Sequence, residues 1–238
     1  MIAARSVSVA ACGLVAVQWA PAGAAHSAHL ARALGIATRL AGDPGVLLTF
    51  DDGPHPLGTP AALSALERLD ARAVFFVSGD QAVLRPELVR ETAAAGHEVA
   101  LHGYRHETRR QLSRRVLWDD TRRAMDAVCA ASGTVPRLYR PPHGVFTLTG
   151  LRLVRSLGLT PLLWSRWGRD WERRATSSSI ARRAATGIRA GDVVLLHDAD
   201  HHGARGSWRR TVAALPEIRD RVEAAGLRWA RVAPTSGV

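Results

Sequence analysis

From Val46 onward, short apolar runs and helix-like segments alternate about seven times, joined by links of a few residues. This alternation constrains the fold more than any other feature of the chain. VLLTF (46–50), RAVFFVS (72–78), EVAL (98–101), RLY (137–139), PLLW (161–164), DVVLL (192–196) and LRWARV (227–232) read as strands. Between them, Thr59 as N-cap and Pro60 at the first position start a helix running to about Leu69. Further helices are predicted over Pro86–Ala95, Leu117–Ala131, Leu148–Leu157, Ser179–Ile188 with Ser178 as cap, and Trp208–Ala225. Most of these end at a glycine: Gly96, Gly133, Gly158 or Gly226. Strand and helix in strict alternation predict an α/β fold with a parallel sheet, and the strand number suits a closed or nearly closed barrel. At 238 residues and 47% hydrophobic, the chain supports one large core. No linker, repeat or low-complexity tract divides it, so residues 43–238 read as one domain.

Residues 1–42 are read separately. Arg5 precedes the mainly apolar run SVSVAACGLVAVQWA, and AGAAHSA offers small residues of the kind found at a leader-peptide cleavage site. The run falls short of the roughly 20 residues a spanning helix needs. A cleaved leader or a weak membrane anchor is therefore expected, with an apolar arm packed on the domain as the alternative. An extracytoplasmic or membrane-anchored location follows from the first reading. Cys12 and Cys129 make no metal-binding pair, and no disulfide between them is expected.

The formal net charge of +11 raises nucleic acid as a partner. The chain contains no Lys, however, and its Arg residues fall mostly at helical spacings, as on solvated helix faces. No nucleic-acid partner is expected.

The informative polar residues sit directly after the predicted strands. VLLTF is followed by Asp51-Asp52-Gly53, EVAL by His102-Gly103-Tyr104-Arg105-His106, and RLY by Arg140-Pro141-Pro142-His143-Gly144. PLLW leads to SRWGRDW, and DVVLL to His197-Asp198. The C-terminal strand ends of a parallel barrel share one mouth, where residues distant in sequence converge. His102 and His106, four apart, can meet one ion, and an Asp at the mouth completes the three-ligand set of a hydrolytic metal site. The adjacent carboxylates then divide the labour. One binds the cation, while the other stays free to take a proton from water. His197, an imidazole of a kind that ordinarily titrates near neutrality, can return a proton to a leaving amine or alcohol. Arg140 can orient a free carboxylate, and Asp170 can hold an imidazole.

Together these motifs resemble the polysaccharide deacetylase family of metal-dependent carbohydrate esterases. The resemblance is carried by TFDDGP (49–54), HGYRH (102–106), RPPHG (140–144), RDW (169–171) and LLHD (195–198), in family order. It implies a distorted (β/α) barrel of about seven strands. It also implies Asp51 as catalytic base tethered by Arg140, with Asp52, His102 and His106 holding a divalent cation, zinc or alternatively cobalt. His197 looks like the general acid tuned by Asp170. The backbone N–H of His143 looks like an oxyanion donor, and Trp171 and Leu195 look like walls of an acetyl pocket. Trp167, read as a loop residue, is a candidate platform for a sugar ring. Two departures stand out: Trp167 occupies the position of the first Asp in the usual D-x-x-D-W motif, and His143 stands where Tyr is commoner. The implied function is hydrolysis of acetyl groups, N-acetyl first, on a carbohydrate polymer or oligomer. An O-acetyl ester, a non-sugar amide or silent glycan binding are the alternatives.

Overall fold

Every residue of Leu47–Asp51 (β1) and of Ala73–Val77 (β2) is buried. Strands covered on both faces belong to a parallel sheet wrapped by helices. The structure, a computed structural model, describes residues 17–108 and 113–230. Its remaining strands are β3 (Glu98–Leu101), β4 (Leu138–Tyr139), β5 (Thr160–Pro161), β6 (Arg166–Trp167) and β7 (Val193–His197). All pair in parallel, in the order β5-β4-β3-β2-β1-β7-β6.

That order fixes the shape. β5 and β6 are consecutive in the chain, with only residues 162–165 between them, yet they lie at opposite edges of the sheet. A link so short can join the two edges only if the sheet curls round to bring them together. The expected distorted barrel results, with a seam between β5 and β6 in place of a hydrogen-bonded pair.

Residues 37–40 cover that seam. Ala37 bridges Leu162, its carbonyl accepts from the Leu163 N–H at 2.8 Å, and the Leu40 N–H donates to Gly191 at 2.8 Å. Ahead of them come a short 3-10 helix, Ala20–Ala25, and helix α1 (Ala28–Ala33), capped by the Ser27 side chain. Residues 17–42 thus lie against the barrel. Residues 6–16 of the N-terminal apolar run lie outside the described residues, as does Cys12, while Cys129 is a free thiol. Among the described residues no helix is long and apolar enough to cross a membrane.

Helices α2 (Gly58–Arg68), α3 (Gly79–Leu84), α4 (Pro86–Ala94), α5 (Arg114–Ser132), α6 (Leu148–Ser156), α7 (Ser177–Ala185) and α8 (Ser207–Ala224) surround the sheet. In α5 the buried Leu117, Thr121, Ala124, Val128 and Ala131 recur at steps of three and four, which keeps one face on the core. Gly133 ends this helix at φ 70°, returning its N–H to the Cys129 carbonyl at 2.9 Å. Each fully buried Leu or Phe of this core contributes roughly 1.5–3 kcal/mol.

Four local expectations are corrected. Helix α2 starts at Gly58 with Leu57 at the cap, because the Thr59 hydroxyl is engaged elsewhere, by the buried Asp198. Helix α7 starts earlier than expected, at Ser177, since Thr176 and Ser179 form a reciprocal capping box. LRWARV supplies only a bridge from Trp229 to Val46, and residues 231–232 lie outside the described part. The seventh strand is instead β6, so Trp167 belongs to a strand and not to a loop. Its two residues were too few to show a strand pattern in the sequence.

Candidate active site

β1 and β7 end in register, pairing Asp51 with His197. His102 follows β3, Arg140 follows β4 and Asp170 follows β6. The strand ends meet at one mouth and line a cavity of about 360 Å³.

The adjacency of Asp51 and Asp52 is resolved by the backbone. Strand alternation alone would send neighbouring side chains to opposite faces. Asp52 instead takes φ 74°, a left-handed conformation that costs most residues energy but that Asp tolerates. The strand ends there, and both carboxylates turn to the same mouth. Asp52 Oδ1 lies 3.3 Å from His102 Nε2 and 3.4 Å from His106 Nε2, and Asp51 Oδ2 lies 3.9 Å from His102 Nε2.

Gly53 follows because nothing larger fits. A Cβ there would stand 2.6 Å from Asp198 Oδ2 and 2.7 Å from Oδ1. Asp198 is buried and accepts a short hydrogen bond from the Thr59 hydroxyl. Burial raises its carboxyl to about 7 against the opposing hydrogen bond from Thr59. Nearby, His55 Nδ1 accepts from the Gly58 N–H at 2.8 Å and its Nε2 stands 3.2 Å from Asp200. His55 thereby ties the loop after β1 to the loop after β7.

Three ligand atoms, one each from Asp52, His102 and His106, lie within 4.8 Å of one another. The donor chemistry fits a divalent cation. Asp52 Oδ1 is buried without a hydrogen-bond partner, an expensive state for an anion unless a cation meets it. His102 Nδ1 lies 2.8 Å from the Arg140 carbonyl, which can only accept, so Nδ1 carries the proton and Nε2 offers its lone pair. Burial and the neighbouring His102 push the His106 imidazole down to about 3, leaving it neutral. Burial works to raise the Asp52 carboxyl, but the close approach of the surrounding imidazoles, with the protonated His197 among them, holds it well below the usual range.

Asp51 is not part of this trio. Arg140, wholly buried, donates to Asp51 Oδ1 at 2.6 Å and to the Thr49 hydroxyl at 2.9 Å. Its other nitrogens are used by the carbonyls of Leu162 and Leu163, and its guanidinium centre lies 3.9 Å over the Phe76 ring. A fork satisfied at every branch fixes Asp51 and leaves Oδ2 open to the cavity.

Across the mouth, Asp170 holds His197 twice. Its Oδ1 lies 2.9 Å from His197 Nδ1 and its Oδ2 accepts the His197 backbone N–H at 2.7 Å. The Thr211 hydroxyl, from α8, also donates to Oδ2 at 2.7 Å. Burial alone pulls the His197 imidazole down, but Asp170, aided by Asp52 and Asp51, lifts it to about 10, so it carries its proton at neutral pH.

The cavity wall is apolar on one side. Trp164, Trp167, Trp171 and Leu195 line it, and the Trp171 ring stands edge-on to His197 at 5.3 Å. Trp167 packs on Trp164 at 5.9 Å and meets the His26 ring of the N-terminal segment at 5.6 Å. His143 sits at φ 58° in a tight turn that engages the N–H groups of Gly144 and Val145 but not that of His143.

All the residues singled out in the sequence therefore meet at one place. Sequence reading missed the supports: Thr49, Thr211, and Asp198 with Thr59. The signal for Thr211 is a hydroxyl at an inward-facing helix position, visible only once the helix register is known.

A parallel barrel whose mouth gathers Asp, His and His beside a second, separately held Asp has the donor set of a metal-dependent hydrolase. Comparison narrows this further. The family model for polysaccharide deacetylase matches residues 39–162. A chitooligosaccharide deacetylase of Sinorhizobium fredii is 37% identical over 194 residues, covering 76% of this chain and 88% of that one. A peptidoglycan-N-acetylglucosamine deacetylase of Bacillus cereus is 32% identical over 192 residues, covering 79% and 85%. The family 4 carbohydrate esterase from Streptomyces lividans, solved in complex with acetate, superposes with a TM-score of 0.71 at 33% identity over 82% of this chain and 96% of that one. The chain belongs to the polysaccharide deacetylase family, and the deacetylase class of hydrolase is the class of its named homologues.

Proposed function

We propose that this protein removes N-acetyl groups from amino-sugar residues of a carbohydrate polymer or oligomer, of the chitooligosaccharide or peptidoglycan kind that its homologues are named for. The observation that carries the reading is the division of the two aspartates: Asp52 shared by two imidazoles, Asp51 tethered through its other oxygen by Arg140 and farther from them. A divalent cation, zinc or cobalt, held by Asp52, His102 and His106 would polarise the amide carbonyl and make water more acidic. Asp51 Oδ2 accepts the proton of the attacking water. The His143 N–H donates to the oxygen that gains charge. His197 Nε2–H protonates the departing nitrogen, and Asp170 keeps that imidazole oriented. Trp171 and Leu195 shape the recess for the acetyl methyl, while Trp167 offers a ring face to the sugar.

Acetate release from N-acetylglucosamine oligomers tests the reading. Chelation is expected to abolish release, and zinc or cobalt to restore it. Release that persists after exhaustive chelation overturns the metal assignment. Acetate from acetylated esters with none from the amide substrates would move the activity to O-acetyl groups.

A further inference from the structure

His106 is held differently from its partner His102. The His102 ring is locked by a hydrogen bond from Nδ1 to the Arg140 carbonyl. No hydrogen bond to the second ring nitrogen of His106 is formed among the described residues, yet its side chain is only 7% exposed. Two other imidazoles cover it. The His202 ring lies 3.9 Å above it at an interplanar angle of 14°, and the His143 ring meets it edge-on at 4.2 Å and 76°. Both covering residues are themselves exposed, from the loop after β7 and the turn after β4.

The geometry also says what His202 is not. Two imidazoles that share an ion point their nitrogen lone pairs at one point about 2 Å from each. Rings stacked face to face have lone pairs in parallel planes and cannot converge in that way. His102 and His106, tilted by 42° at 5.3 Å, can.

We infer that His202 is a positioning residue for the metal ligand His106, holding its ring by face-to-face stacking where His102 is held by a hydrogen bond. The inference rests on the metal-site reading above. It makes cation retention depend on the loop that follows β7, the strand that also carries His197. Ring orientation by neighbours outside the ligand set is worth about 10- to 100-fold in metal affinity where it has been removed at other sites.

The experiment is zinc affinity by competition with a chromophoric chelator, together with the visible d–d absorption of the cobalt(II) form. His202→Ala is expected to weaken zinc by about tenfold and to alter the cobalt bands. His202→Phe keeps a flat ring without a ligating nitrogen and is expected to stay within about threefold of the parent. His106→Ala is the reference for loss of a ligand. Thermal midpoints of the metal-free variants equal to the parent show that folding is intact, as an exposed loop residue predicts. Unchanged affinity and unchanged cobalt bands in His202→Ala overturn the inference. Equal loss in the Ala and Phe variants overturns it too, because the nitrogen and not the ring would then matter. A parent protein that holds no zinc overturns the metal-site reading beneath it, and that outcome is visible in the first measurement alone.

Discussion

Asp51 and His197 stand opposite each other in the register of β1 and β7, with Asp52 Oδ2 4.0 Å from His197 Nε2 between them. Neighbouring strands lie about 4.8 Å apart, so one strand pair carries the Asp51 carboxylate and the His197 imidazole to the same mouth as the three-ligand cluster. Asp51→Asn keeps the shape and the Arg140 contact but removes the acceptor. Turnover should fall by about 10²–10⁴ while zinc still binds. Asp52→Asn should lose zinc itself. Full acetate release from Asp51→Asn, or unaltered zinc affinity in Asp52→Asn, would reverse the division between the two acids.

The His197–Asp170 pair makes a pH prediction with a definite sign. The folded imidazole is raised from 6.5 to about 10. In the metal-free protein its contribution to stability is therefore fully present below about 6.5 and is lost as pH rises through about 10. A bound cation pulls the other way, so the displacement on removing Asp170 is the informative quantity. Asp170→Asn should move the alkaline limb of the kcat profile to lower pH by at least about one unit and shrink the stability advantage near neutrality. A limb that stays in place would mean that another group supplies the proton.

Arg140 tests how far the site depends on a buried charge. From a wholly buried position its fork satisfies Asp51, Thr49 and two carbonyls. Arg140→Ala leaves Asp51 buried without its partner, which costs about 3–5 kcal/mol. Arg140→Lys keeps the charge but cannot reach all four acceptors, and should remain substantially destabilised in urea unfolding. A Lys variant as stable as the parent would show that charge alone suffices.

Much of this was readable in the sequence, and the limits have physical causes. β1, β2, β3 and β7 are buried on both faces, so their apolar runs announced them. Strand β6 has two residues, and LRWARV contributes only the bridge from Trp229 to Val46, so a local pattern could not tell them apart. The chemistry-bearing residues were legible because strand ends in a parallel barrel share one mouth. That Asp51 and Asp52 turn to the same side was not. Strand alternation predicts the opposite, and the reversal lies in the left-handed φ of Asp52. The N-cap of α2 was misread for a related reason: Thr59 makes a better partner for the distant Asp198 than for its own helix.

Gly53 and Asp198 give the last prediction. Since an added Cβ would stand 2.6 Å from Asp198 Oδ2, Gly53→Ala must displace a buried carboxyl that holds Thr59. Overpacking of this kind costs about 1–3 kcal/mol, and the displacement falls on the residue next to Asp52, so zinc affinity should drop with stability. Asp198→Ala removes the obstacle while leaving the Thr59 hydroxyl without its acceptor, at a separate cost of about 1–3 kcal/mol. The double variant should then be more stable than the two single losses added together, by at least about 0.5 kcal/mol. Urea denaturation of the four proteins measures the cycle. Strict additivity would mean that the turn after Asp52 is not set by this contact, and that the glycine answers to some other demand.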